Sequence, residues 1–161
     1  MTSHLPRRSA AEQTLLEATF TDLFEHRICF NEVLGLKVET LDPLQVRMRL
    51  TMRPDLVGHY LYGRLHGGVI SATLDAIGGN AVMVALAEKH ANESAEQVMH
   101  RFARIGTIDL RIDYLRPGLG EHFIASAEVT RLGGRVASVQ MRLLNNSDVL
   151  IATGAAAYIV S

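Results

Sequence analysis

The sequence predicts an α+β domain in which an antiparallel sheet wraps one long, buried central helix, with an N-terminal helix before it. The stretch 67–88 has hydrophobic residues on nearly every helical face, which is typical of a helix enclosed by protein. From Ile108 onward the pattern changes to a two-residue alternation, which is typical of strands that bury one face. One sheet closed over one helix is a stable arrangement of layers.

Local signals predict the remaining elements. Ser9 followed by Glu12 is a capping-box pattern, and the helically spaced apolar residues after it predict a helix over 10–28. Asp-Pro, Gly-Gly and Asn-Asn pairs separate the alternating segments and predict turns. The other predicted segments are strands at 36–41 and 44–52, an irregular stretch at 53–65, a loop or short helix at 89–104, and strands at 108–114, 123–132, 136–144 and 149–160.

The length of 161 residues favours a single domain over 1–161, with 1–8 as a flexible tail. The net charge of −1 gives no reason to expect nucleic acid or an anionic membrane as a partner. Polar residues within 67–87 argue against a membrane-spanning helix. The chain start lacks the apolar run of a secretory signal, so we expect a cytoplasmic protein.

The cysteine and histidine patterns predict no metal site, and we expect no cofactor. His-Glu-x-x-His and Cys-x-x-Cys motifs are absent from the sequence. The single cysteine, Cys29, lies between apolar neighbours and is predicted to be a buried, inert thiol. The histidines predicted to lie at the surface are His4, His26, His90, His100 and His122.

His66, Gly67 and Gly68 open the predicted central helix. A helix start presents free backbone N–H groups at the positive end of the helix dipole. Two glycines there would let a substrate carbonyl oxygen approach closely, and such donors stabilise a developing oxyanion. Taken alone, the motif is also consistent with a glycine-rich turn packed against a strand.

Asp75 lies further along the same helix among apolar residues. Burying a carboxylate costs several kcal/mol unless a partner compensates, so Asp75 is either a functional acid group or one held by a nearby backbone group or arginine. Gly67 and Asp75 are eight residues apart, which is about 12 Å along one helix. Hydrogen bonds reach only ~3 Å. If both groups act on one carbonyl, two chains must supply them, which predicts a twofold homodimer with antiparallel helices and shared sites.

All seven cationic residues of 101–161 are arginines, the side chain best suited to binding phosphate through a planar fork. Arg116, Arg131 and Arg135 fall at predicted strand ends and a hairpin turn, which makes them candidate phosphate ligands. The alternative for each arginine is a position on a solvent-exposed strand face.

Small residues on the central helix leave room for an alkyl tunnel or for close packing at the dimer interface: Ala72, Ala76, Gly78, Gly79 and Ala81.

The runs LHGGVISATLDAIGG and TIDLRIDYLRPG resemble those of the PaaI-like hotdog-fold acyl-CoA thioesterases, in particular the YigI type, which acts on medium- and long-chain acyl-CoA. The resemblance begins near Phe30, at CFNEVLGLKVE, and reaches the C-terminal strand. It implies a hotdog fold and hydrolysis of medium- to long-chain acyl-CoA. With that substrate, the three candidate arginines would bind the phosphates of coenzyme A. We expect the homodimer predicted from the helix spacing to assemble further into a homotetramer.

The resemblance also implies roles for individual residues. Asp75 becomes the general base or nucleophile, Gly67 donates its N–H to the thioester oxygen, Gly68 lines the site, and Thr107 orients the water. His66 is expected to position the loop rather than to carry protons. The family often has Asn or Gln six or seven residues before this histidine; here His59 and Tyr60 stand there, and either can donate a hydrogen bond.

Of three alternative functions, the sequence disfavours two and leaves one open. A hotdog dehydratase or hydratase would need a histidine in a His-Phe-Pro context or an aspartate five residues before a histidine, and neither pattern occurs. No Gly-x-Ser-x-Gly motif supports an α/β-hydrolase. A non-catalytic protein that binds or senses acyl-CoA or acyl-carrier protein would keep the pocket and the arginines without needing Asp75.

Overall fold

A computed structural model describes residues 6–161 of the chain. Its helical elements are α1 (Ala10–Asp22), a π-helical segment (Leu23–Arg27), α2 (Cys29–Leu34), a 3-10 turn (Pro54–Leu56), α3 (Gly67–Lys89) and α4 (Ala95–Phe102). Its strands are β1 (Leu36–Thr40), β2 (Val46–Thr51), β3 (Val57–His59), β4 (Arg64–Leu65), β5 (Gly106–Tyr114), β6 (His122–Leu132), β7 (Val136–Asn145) and β8 (Leu150–Ile159).

Six strands form one antiparallel sheet in the order β1-β2-β6-β7-β8-β5, and β3 and β4 form a separate two-stranded ribbon. The sheet curls around α3, and α2 and α4 also contact this helix. The predicted α+β architecture, with one long central helix, an N-terminal helix and an antiparallel sheet, is confirmed. Because β5 pairs only with β8, it leaves one edge of the sheet open.

The core lies between α3 and the concave face of the sheet. Strand residues two positions apart point to the same face, which buries Val46, Met48 and Leu50 of β2 together. Leu74 and Ile77 of α3 are sealed against them, and each such side chain contributes about 1.5–3 kcal/mol when it leaves water. By length and composition α3 could also cross a membrane, but most of it is buried inside this fold.

The N-terminal region differs from the single helix predicted over 10–28. The α-helix ends at Asp22, a π-helical segment follows, and Ile28 is extended (φ −84°, ψ 94°) before α2 begins. The side chain of Asn31 caps the break by donating Nδ2 to the carbonyl of Phe24 at 3.0 Å. Ser9 does cap α1, but Glu12 turns away and accepts a hydrogen bond from the Ala95 N–H at 3.0 Å, which ties α1 to α4.

Some predictions about single residues are wrong. Cys29 is exposed, because the short helix α2 begins there and turns the thiol outward. His90 is half-buried rather than at the surface, since the chain after α3 folds back over it. His122 is also half-buried, whereas His26 and His100 are exposed as predicted. His4 lies outside the described residues.

Two regions contain more structure than predicted: the stretch just before the central helix and the start of the chain. The stretch 53–65, predicted as irregular, carries the 3-10 turn and the β3–β4 ribbon. Of the predicted flexible tail, residues 1–5 lie outside the described part of the chain. Arg7 forms a 2.7 Å ion pair with Glu88 of α3, and the Arg8 N–H donates to the carbonyl of Ala91 at 2.6 Å.

Candidate active site

The first turn of α3 leaves one backbone donor free. His66 is the N-cap residue, and its Nδ1 accepts the Gly68 N–H at 2.8 Å. The N–H groups of Val69 and Ile70 donate to the His66 carbonyl at 3.0 and 3.1 Å. Within residues 6–161 the Gly67 N–H has no acceptor. A free N–H at the positive end of a 23-residue helix is a ready donor to an oxyanion.

Glycine at position 67 leaves space for a ligand rather than for protein packing. A Cβ added there would meet only the ring of Tyr114, at 3.5 Å, an ordinary contact. The Tyr114 hydroxyl donates to the Gly67 carbonyl at 3.1 Å and fixes this turn. Gly58 is different, because a Cβ there would lie 2.7 Å from Cα of His66. Gly58 therefore lets β3 pack directly against the loop that carries His66.

Asp75 is half-buried, and two hydroxyl groups hold one of its oxygens. Thr107 Oγ1 donates to Oδ1 at 2.9 Å. Tyr158 Oη lies 3.1 Å from Oδ1 and 2.9 Å from the Asp75 carbonyl oxygen. Among the described residues nothing donates to Oδ2, and this atom is not sealed from solvent. The carboxylate is thus oriented through one oxygen and open through the other.

Tyr158 was not predicted as a site residue. Its side chain is 1% exposed, and burial, followed by the charge of Asp75 and their hydrogen bond, raises the pKa of Tyr158 far above its ordinary value of 10.0. The phenol therefore remains a donor. Gly78 makes room for it, since a Cβ at that position would overlap the phenol oxygen. The alternation of small residues in GAAAYIV indicates a buried strand face, but only the packing shows that its tyrosine reaches α3.

A β-bulge aims Thr107 at the carboxylate. The register of β5 against β8 shifts between Thr107 and Asp109, and a bulge re-aims the side chains next to it. Asp109 Oδ1 accepts the N–H of Ala157 at 3.0 Å and stabilises the irregularity. The same bulge explains why Ile108 is 55% exposed, although strict alternation predicted it to face inward.

An open groove of about 570 Å³ contains Asp75. Small residues on one face of α3 form its floor, and apolar side chains from the α1–α2 junction, α4 and β5 form its walls. Ala72, Ala76 and Gly79 line this groove, whereas Gly78 packs against Tyr158 of the sheet and Ala81 is buried elsewhere. The remaining lining residues are Ile28, Phe30, Asn31, Gly68, Ser71, Asn80, Phe102, Ile105, Gly106, Thr107, Leu110 and Tyr158.

A second, shallower depression of about 340 Å³ adjoins Gly67 and contains Arg116 and His59. The His59 ring contacts the Tyr62 ring at 4.8 Å, and its Nδ1 is buried with no partner in the described residues. Tyr60, the alternative to His59, stacks on it at 5.8 Å but is 87% exposed. Arg116 donates to the Leu150 carbonyl at 2.9 Å.

The structure does not bring the three candidate arginines together within one chain. Arg131 and Arg135 are exposed at the β6–β7 hairpin, whose glycines lie beside the last turn of α3. Arg116 lies at the first turn of α3, and the 23 residues of this helix span about 34 Å. Within residues 6–161, no group of three or more His, Cys, Asp or Glu side chains could hold a metal ion.

Gly67 and Asp75 lie on one uninterrupted helix, so the free N–H and the open carboxylate of a single chain stay about 12 Å apart. A sheet wrapped around one helix that opens with His-Gly-Gly is the arrangement that the resemblance to the hotdog thioesterases led us to expect.

Comparison with known proteins identifies the family. The sequence pattern of the thioesterase superfamily matches residues 62–152. Over 139 residues the chain is 35% identical to the medium/long-chain acyl-CoA thioesterase YigI of Escherichia coli, covering 86% of this chain and 90% of the relative. The protein belongs to the thioesterase superfamily and is a thioester hydrolase, as the sequence resemblance predicted.

Solved structures show the same fold. A Shewanella oneidensis protein described as related to the thioesterase superfamily superimposes with a TM-score of 0.87 at 32% identity, covering 96% of this chain and all of that one. Zebrafish thioesterase superfamily member 2 superimposes with a TM-score of 0.70 at 23% identity, covering 89% of this chain and 97% of that one. The predicted hotdog fold is therefore confirmed.

Proposed function

We propose that this protein hydrolyses medium- to long-chain acyl-CoA to a free fatty acid and coenzyme A. The observation that carries the proposal is the state of Asp75: two hydroxyls hold Oδ1, and Oδ2 is open beside a mostly apolar groove. The groove suits an alkyl chain, because burying each methylene is worth about 0.8 kcal/mol. The name of the E. coli relative supports the same substrate class.

Two routes fit this carboxylate. As a general base, Asp75 removes a proton from water, and the hydroxide adds to the thioester carbon. The tetrahedral intermediate then expels the thiolate, which takes the proton back from Asp75. As a nucleophile, Asp75 Oδ2 displaces the thiolate to form a mixed anhydride, which water hydrolyses. In both routes the oxyanion needs the free N–H of a Gly67, and neither route requires a cofactor.

The acting Gly67 belongs to a second copy of the chain in this proposal. Hydrogen-bond reach is ~3 Å, far less than the separation of the two groups along α3. The edge strand β5 supports a dimer, because among the described residues its outer backbone groups pair with no other strand. The exposed apolar side chains of Ile108, Tyr114 and, just beyond the strand, Leu115 lie along this edge. A twofold axis there would place Gly67 of the partner subunit opposite Asp75, and further assembly to a tetramer remains a prediction.

The candidate ligands of coenzyme A lie in two places. Arg116 lies beside the first turn of α3, so in a shared site the chain that supplies Gly67 would also supply Arg116. His59 projects into the same depression and keeps the proposed role of a carbonyl donor, while His66 positions the turn through its bond to Gly68. Arg131 and Arg135 remain candidates at the far hairpin, where they could meet only the distant end of the ligand.

Release of free thiol from acyl-CoA of increasing chain length tests the proposal. We expect Asp75→Asn to lower kcat by about 10²-fold or more, as for removal of a general base. Asp148→Asn is the matched control, because Asp148 is an exposed carboxylate in the β7–β8 turn, away from β5, and its side chain bonds to none of the described residues. Binding of acyl-CoA without thiol release by the wild type would instead support the non-catalytic alternative.

A further inference from the structure

Two buried asparagines line the otherwise apolar part of the groove beyond Asp75. Asn31 of α2 is 3% exposed, and Asn80 of α3 is 2% exposed. Around them the walls are Ile28, Phe30, Phe102, Ile105 and Leu110. Buried side-chain polar atoms normally have at least one hydrogen-bond partner, from the protein or from ordered water. Amides in an alkyl-binding wall therefore need an explanation.

Each amide uses its nitrogen within the protein and leaves its oxygen open. Asn31 Nδ2 donates to the Phe24 carbonyl at 3.0 Å, and Asn80 Nδ2 contacts Met48 Sδ at 2.9 Å. A carbonyl can only accept, which identifies the two ends of the Asn31 amide, and in Asn80 the thioether of Met48, a weak acceptor, lies next to Nδ2. Neither Oδ1 accepts a hydrogen bond from the described residues, and neither is sealed from solvent. Both residues line the groove, where a bound ligand could reach an oxygen that the protein does not seal.

An unsubstituted alkyl chain cannot satisfy these oxygens. Covering a carbonyl oxygen with methylene groups removes its water and provides no donor, which weakens binding. A hydroxyl on the chain would donate to the oxygen and keep the apolar contacts on either side. Sites built to bind a substrate hydroxyl discriminate against the analogue that lacks it.

We propose that this enzyme selects acyl groups that carry a hydroxyl in the middle of the chain, bound by Asn80 Oδ1 with Asn31 Oδ1 as the second acceptor. The inference rests on the proposed acyl-CoA hydrolysis. Asn80 lies five residues beyond Asp75 on α3, about 7.5 Å along the helix axis. A hydroxyl on the β-carbon is only two bonds from the thioester carbon and stays beside Asp75. A hydroxyl several methylenes further along reaches Asn80.

The test compares three acyl-CoA substrates of equal chain length: unsubstituted, hydroxylated on the β-carbon, and hydroxylated at mid-chain. For the wild type we expect kcat/KM about five- to tenfold higher for the mid-chain hydroxyl than for the other two, the value of one hydrogen bond. Equal kcat/KM for all three would overturn the inference and leave the proposed function intact. No thiol release from any of them would contradict the proposed function itself.

Asn80→Leu removes the acceptor and retains the volume. We expect the preference for the mid-chain hydroxyl to fall to about one, and because it is a ratio within one variant, loss of folded protein cancels. Thr73→Val is the matched control, since Thr73 is a fully buried residue of α3 that does not line the groove, and its hydroxyl has no partner within residues 6–161. A preference that survives in Asn80→Leu, or that is lost in Thr73→Val, would contradict the assignment.

Discussion

At the scale of single residues, the proposed chemistry depends on how Asp75 is held. Thr107 and Tyr158 both bond to Oδ1, which leaves Oδ2 open as the reactive oxygen of the proposed mechanism. Thr107 was predicted from the family resemblance, and the structure places it against the carboxylate. Tyr158 was missed because it lies 83 residues from Asp75 in sequence and no local pattern marks such a contact.

Tyr158→Phe tests whether the phenol orients the carboxylate. The ring still fills its place under Gly78, but Asp75 keeps a single hydroxyl partner. We expect kcat to fall by about five- to tenfold, the value of one net hydrogen bond, with little change in KM. The measurement compares the steady-state kinetics and the melting temperature of the wild type and of Tyr158→Phe. A fall in kcat that is fully explained by loss of folded enzyme would show that Tyr158 is structural only.

At the scale of elements, the junction of α3 and α4 carries a charged cluster with a predictable response to pH. Glu93 bonds to Arg101, and His90 Nδ1 lies 3.3 Å from the Arg101 guanidinium. Burial, followed by the charge of Arg101, lowers the pKa of His90 below its ordinary value of 6.5. The hydrogen bond from Arg101 is the main cause that lowers the pKa of Glu93 below 4.5.

Because folding lowers the pKa of both His90 and Glu93, the free energy of unfolding decreases as the pH falls. A group whose pKa is depressed by folding contributes stability above its unfolded pKa and loses it as the pH falls through its folded pKa. The loss from His90 therefore begins just below pH 6.5. We expect the melting temperature to fall between about pH 7 and pH 5 in the wild type and to fall less in His90→Gln. Equal pH dependence of the two proteins would contradict this assignment.

Prediction from sequence succeeded where the signal is local and periodic. The buried helix at 67–88 and the strands around Gly133-Gly134 were predicted to within a few residues. The π-helical segment after Asp22 and the bulge at Ile108 were not predicted, because each depends on contacts made by distant segments. For the same reason the outward turn of Cys29 could not be inferred from its apolar neighbours.

At the scale of the whole molecule, the two halves of the proposed chemistry lie at different places on one chain. The open carboxylate belongs to the large groove and the free Gly67 N–H to the depression beside Arg116. Sequence spacing alone predicted this separation, since both residues lie on a straight helix. The identity of the partner surface could not be predicted in the same way, because the exposure of the β5 edge follows from strand order.

Mixing two inactive variants tests the shared site most directly. Asp75→Asn retains a functional Gly67. Gly67→Val retains a functional Asp75 but fills the space through which a ligand would reach the N–H of residue 67. A mixed dimer therefore contains one intact site and one doubly altered site. After co-refolding equal amounts, the account predicts recovery of about one quarter of wild-type thiol release, because half of randomly paired dimers are mixed and each has one working site. If each chain carries a complete site of its own, the mixture will be as inactive as the separate variants, and the account is contradicted.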